Sequence, residues 1–129
     1  MGYSELVPVS RHEKTLRQLK CVVSHRTPVT LHHCHGGSMK DLFRNPGMAQ
    51  KACPYLQIPL HSNYHTGQFG IDSGVGVTGW VDEWERTFGS QIDHLTDVSG
   101  QLGYDVIRSA KLWIEQHNHR LISARRSNQ

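Results

Sequence analysis

Histidine carries the chemistry of this chain, and its spacing is uneven. Of ten histidines, six (His25, His32, His33, His35, His61 and His65) fall within residues 21–65. The same stretch holds all three cysteines, Cys21, Cys34 and Cys53. His32 and His33 close the β-prone run Val29-Thr30-Leu31, while His61 and His65 follow Pro59-Leu60, a step that opens a short helix. A four-residue offset places His61 and His65 on one helix face, where both rings reach one ion. Adjacent strand residues point to opposite faces, so His32 and His33 divide their work: one joins the metal and the other faces a substrate. An ion on a scissile phosphate and a neutral imidazole that deprotonates water are the working parts of a one-metal phosphodiesterase.

The elements that must position these rings are legible in outline. Residues 1–9 read as an extended arm. Ser10 with Glu13 forms a capping-box pattern that opens a helix through Lys20, with Leu16 and Leu19 facing inward. Cys21-Val22-Val23 and Val29-Thr30-Leu31 flank a turn at His25-Arg26-Thr27-Pro28, which predicts a hairpin over residues 21–33. From His35 to Pro59 no period is sustained, and the stretch reads as a long loop of the functional kind. Trp80, Trp84 and Phe88 recur at helical spacing, with Asp82 and Glu83 in the first turn and Gly89 past the end. Ser90 with Asp93 opens a further helix carrying Ile92, Leu95 and Val98, and Leu102, Val106, Ala110, Trp113 and His117 follow one face of the last. These apolar stripes and tryptophans are core rather than cofactor contacts. The expected fold class is α+β, a single domain over 1–129. A helix and a compact core span 10–78, C-terminal helices span 79–122, and a frayed tail spans 123–129.

Composition narrows the function classes. A chain of 129 residues with 36% hydrophobic and 19% charged residues can bury one globular core. No apolar run approaches the roughly 20 residues of a membrane span. Met1-Gly2 is followed by no basic-then-apolar signal region, and Leu6 stands where myristoylation needs Ser or Thr. Three cysteines are an odd number, which argues against a disulfide framework and for a reducing, cytoplasmic interior. Residues 1–66 hold eight Lys/Arg against three Asp/Glu, and residues 67–129 hold six against eight. The histidine-rich half is therefore the basic half, as contact with a polyanion requires.

Val29-Thr30-Leu31-His32-His33 with Gly36-Gly37, then His61-x-x-x-His65, resembles the HNH (His-metal finger) endonucleases in their colicin-type DNase form. More broadly, residues from about Glu13 to Gly89 resemble the phage-encoded RecA-dependent nuclease family. The matching pieces are Cys21, His32-His33, Gly47-Met48-Ala49-Gln50-Lys51, Pro59-Leu60, His65-Thr66-Gly67 and Trp84 to Gly89. The resemblance implies a ββα-metal (HNH) finger core with a leading helix and two to three C-terminal helices packed around it. It implies a metal-dependent DNA endonuclease of phage or prophage origin, working inside a bacterial cell. His32, His61 and His65 would hold one divalent ion (Zn, Mg, Mn or Ni), with Asp72 as an alternative ligand. His33 would be the general base, its tautomer set by Asn63 or a backbone carbonyl.

Lys40, Arg44 and Lys51 are candidate phosphate contacts on DNA, with solubility as their equally weighted alternative. A RecA-type recombinase filament is an implied partner. Ser24 stands where the family has a second cysteine, and His61 where it has the cysteine after Pro-Leu. A second, structural zinc would then draw on Cys21, His25, Cys34 and Cys53, although no spacing supports that set. Taken singly, His25 and His35 read as surface residues and Cys34 as a small buried one. The competing class is a catalytically inactive, zinc-finger-like module that binds DNA or protein on the same fold.

Overall fold

Helix α1 (Val9–Arg17) has Pro8 as its N-cap, and no side chain caps it. The expected Ser10–Glu13 box is absent because Ser10 already lies inside the helix. Glu13 instead accepts a hydrogen bond from Gln57 Nε2 at 2.6 Å, tying the helix to a strand far along the chain. The helix ends at Arg17 rather than Lys20, with Lys14 and Arg17 in its last turn beside the negative end of its dipole. The computed structural model describes residues 6–42, 53–74 and 78–127.

The hairpin expected over residues 21–33 does not form. Residues 22–24 make a turn, closed by His25 N–H donating to Cys21 O at 2.9 Å. Strand β1 (Thr30–His33) pairs antiparallel with β2 (Gln57–Leu60), whose first three residues end the stretch read as a loop. The register sets Thr30 opposite Leu60, Leu31 opposite Pro59, His32 opposite Ile58 and His33 opposite Gln57. Pro59 hides this strand from a sequence reading, because it cannot donate to a ladder. In a two-stranded sheet every strand is an edge, so proline is tolerated there. The Pro59 carbonyl accepts from Val22 N–H at 3.1 Å, which brings the turn against the sheet. All four β2 residues are buried.

Beyond β2 come a one-turn helix α2 (Ser62–His65), then α3 (Trp80–Phe88), α4 (Gln91–Leu102) and α5 (Val106–Ser127). The architecture is α+β: five α-helices and a two-stranded antiparallel sheet among the described residues. Helix α1 covers both strands, α2 packs beside them, and α4 bridges β2 and α5. Leu16, Met39, Tyr55, Ile58, Leu60, Trp84, Leu95, Val98, Val106 and Ala110 share one core. The Ser90–Asp93 cap forms as its pattern predicts, with Ser90 Oγ accepting from Asp93 N–H at 3.0 Å. Helix α5 continues through Ser127, so residues 123–127 extend it where a frayed tail was expected. No helix among the described residues is long and apolar enough to cross a membrane.

Helix α1 also buries an imidazole. His12 is fully buried against Tyr55, with Nδ1 2.7 Å from the Tyr104 hydroxyl, and its Nε2 has no hydrogen-bond partner. Desolvation pushes its pKa down to about 4, against a smaller pull from Glu13. An unfolded chain therefore binds a proton at this residue well before the folded one does. The His12 contribution to stability is fully present above about pH 6.5, falls as pH drops from 6.5 toward 4, and changes no further below. The loss amounts to roughly 3 kcal/mol. Denaturant unfolding at a series of pH values measures this slope, and His12→Leu flattens the acid limb.

Candidate metal centre

Strand β1 alternates its side chains, and Thr30 and His32 point to one side, toward α2 and the loop after it. His32 is 1% exposed. Its Nδ1 lies 3.2 Å from Asp72 Oδ2, and its Nε2 lies 3.1 Å from Gln91 Oε1. His35, just past the strand, sets Nε2 2.9 Å from Asp72 Oδ1. His65, at the end of α2, sets Nε2 2.9 Å from Asp72 Oδ2 and Nδ1 2.7 Å from Thr30 Oγ1. Three imidazoles from separate segments thus meet both oxygens of a single carboxylate. His32, His35 and Asp72 each bring one ligand atom within 4.8 Å of the other two, a spacing at which one metal ion can be held.

The loop carrying Asp72 is fixed by backbone and indole contacts. Ile71 N–H donates to Tyr64 O at 3.0 Å and Asp72 N–H to His65 O at 2.9 Å, folding the loop back onto α2. From α3, Trp80 Nε1 donates to Gly70 O at 3.0 Å and Trp84 Nε1 to Phe69 O at 2.9 Å. The other flank rests on Glu85. Its carboxylate accepts from Ser38 N–H (2.7 Å), Ser38 Oγ (2.6 Å) and Gln91 N–H (2.7 Å). Gly37 is needed for that approach: its φ is +48°, and a Cβ there would lie 2.0 Å from Glu85 Oε1.

Electrostatics follow the geometry. Partial burial works against ionising Asp72, but its three imidazole contacts together outweigh this and hold its carboxyl well below the usual carboxylate range. His33 is exposed, on the opposite side of β1 from His32. Partial desolvation lowers its pKa, and repulsion from His32 and His65 adds to this against the attraction of Glu13 and Asp72. A ring held in this way is neutral at neutral pH.

The structure places the sequence-predicted residues unequally. His32, His65 and Asp72 converge. His61 does not join them: it is the N-cap of α2, in extended conformation, and its Nδ1 accepts from Asn63 N–H at 3.3 Å. The shared helix face requires both residues to be helical, and a cap residue is not. His35, read from sequence as a surface residue, takes a place in the cluster. Asn63 is exposed, and its side chain makes no hydrogen bond to His33. Lys40 is exposed on a short turn of 3-10 helix (Gly37–Asp41), whereas Arg44, Lys51 and the Gly47–Lys51 motif lie outside the described residues.

The set Cys21, His25, Cys34 and Cys53 does not gather, since among the described residues the only group with metal-holding spacing is His32, His35 and Asp72. Burial pushes the Cys34 thiol well up and the Cys53 thiol to about 11. Cys21 runs the other way: burial raises it, but hydrogen bonds from Ser24 and from the backbone of Ser24, His61 and Val23 win and lower it. Thr30, Glu85 and Gln91 were not legible as site residues. Gln91 is a first-turn polar residue after a capping serine, with no sequence signal beyond that. Comparison with protein-family models, curated proteins and solved structures finds no match to this chain.

Removing a ligand and removing the cap have different effects. A direct-ligand role for Asp72 predicts that Asp72→Asn weakens zinc binding by about 100-fold or more, because loss of a ligand exceeds the usual cost of losing an outer partner. His61→Ala leaves that affinity within about threefold, since a cap contributes to helix stability rather than to ligation. Titration calorimetry on both variants measures the difference.

Proposed function

We propose that the chain is a metal-dependent DNA endonuclease of the HNH type, hydrolysing phosphodiester bonds at the His32–His35–His65–Asp72 cluster. The observation that carries this reading is the convergence of three imidazoles on both oxygens of Asp72, beside an exposed neutral histidine on the same strand. The order β1, β2, α2 supports it, because the ββα-metal unit places its histidine pair on the first strand and a ligand histidine on the helix. A divalent ion held there would supply Lewis-acid stabilisation of the charge that develops on a scissile phosphate.

Each side chain has a defined task. His32, His35 and Asp72 would hold the ion, with His65 on Asp72 as a further ligand, and imidazole with carboxylate suits zinc, manganese or nickel more than magnesium. His33 takes a proton from the attacking water through its neutral ring. Lys40, exposed on the 3-10 turn, is a phosphate contact for the DNA backbone. By the same resemblance, a RecA-type filament on DNA is the partner and the interior of a bacterial cell the compartment.

One observation favours a second reading, a non-cleaving DNA-binding module. His33 has no hydrogen-bonded partner to orient it among the described residues, whereas a general base is ordinarily held by one. A single assay separates the two. Supercoiled plasmid is incubated with the protein and Mg²⁺, Mn²⁺, Ni²⁺ or Zn²⁺. The endonuclease nicks or linearises it, and His33→Ala slows cleavage by about 100-fold or more while metal affinity is unchanged. Retarded mobility of the plasmid without cleavage in every metal establishes the module instead.

A further inference from the structure

Gln91 is fully buried at the start of α4, directly behind His32. Its amide can be oriented from its neighbours alone. Nε2 lies 2.8 Å from the His35 carbonyl oxygen and 3.4 Å from Glu85 Oε2, both of which only accept. Oε1 lies 3.1 Å from His35 N–H, which only donates. Turning the amide over would set oxygen against two acceptors and NH₂ against a donor, so the orientation is fixed. The ring atom that approaches Oε1, His32 Nε2, must therefore carry a hydrogen. In the neutral ring, Nδ1 is then the lone pair that faces Asp72.

The neighbouring rings turn their other nitrogen to the carboxylate. His65 Nδ1 lies 2.7 Å from Thr30 Oγ1 and its Nε2 2.9 Å from Asp72 Oδ2, while His35 sets Nε2 2.9 Å from Asp72 Oδ1. With hydrogen fixed on Nε2 of a neutral His32, its Nδ1 lone pair meets a carboxylate oxygen, an arrangement that holds together only around positive charge.

We propose that Gln91 is a positioning residue that locks His32 as the Nε2–H tautomer. The centre is thereby committed to a mixed donor set, Nδ1 from His32 and Nε2 from His35. The inference rests on the metal-centre part of the proposed function and is independent of whether the substrate is DNA. Outer partners of this kind ordinarily change metal affinity by about 10- to 100-fold, because they set ring orientation and basicity. Glu85 is the anchor behind the lock, holding the Gln91 backbone N–H and, through Ser38, the turn that follows β1.

Long-range ¹⁵N–¹H spectra of histidine-labelled protein test this directly. In metal-free wild type at alkaline pH, His32 shows hydrogen on Nε2. On adding zinc, the Nδ1 resonance of His32 and the Nε2 resonance of His35 move to the metal-bound range. Gln91→Met mixes the His32 tautomers and weakens zinc binding by about 10- to 100-fold, with His65 unchanged. Hydrogen on Nδ1 of His32 in the wild type, or zinc bound through its Nε2, overturns the proposal. A wild type that takes up no zinc ends the metal reading itself, and the metal-free spectrum still decides whether Gln91 locks the ring.

Discussion

The arrangement of this protein depends on the carboxylate of Asp72. One negative group serves three imidazoles, from β1, from the turn after it and from α2. Without it, His32, 1% exposed, would present a polar ring to the core with Gln91 as its sole polar contact. A His32 ring that carries a second proton or an ion would be a buried charge without its counter-charge, so the carboxylate stabilises the fold as well as the site. The same contact fixes three segments relative to one another, which neither a two-stranded sheet nor a one-turn helix can do alone.

Around this centre the chain uses backbone carbonyls and buried carboxylates in place of long regular elements. Strand β1 has four residues and α2 four, too few for cooperative secondary structure to be rigid. Rigidity comes from Glu85, which ties the turn after β1 to the junction of α3 and α4. On the far side, α1 is joined to β2 through Glu13 and Gln57. The sheet is thus held from both ends by side chains that begin in helices. This explains how such short elements present histidines at fixed distances.

The sequence reveals the helices and hides the sheet. Trp80, Trp84 and Phe88 with Gly89, and Ser90 with Asp93, are strong signals because period and cap agree, and both α3 and α4 form where these signals place them. The hairpin over residues 21–33 fails because β-prone runs of three residues say nothing of their partner. The partner lies across the long connection, in a strand containing proline. For the site, clustering of histidines locates the region; His32 and His65 are singled out by residue type and spacing, and Asp72 only through the family resemblance. His61 and His35 exchange places with expectation for a local reason: one backbone conformation at residue 61 makes it a cap and turns its ring toward Asn63. A spacing rule presumes a helical start that residue 61 does not adopt. Gln91 and Thr30 could not be read at all, since their importance arises only from what folding sets beside them.

The two indoles of α3 have a consequence of another kind. Trp84 is 1% exposed and, like Trp80, donates its N–H to the backbone of the loop that leads to Asp72. Indole emission responds to hydrogen bonding and to the polarity around the ring. The protein therefore carries its own optical gauge of that loop, readable without dye or label.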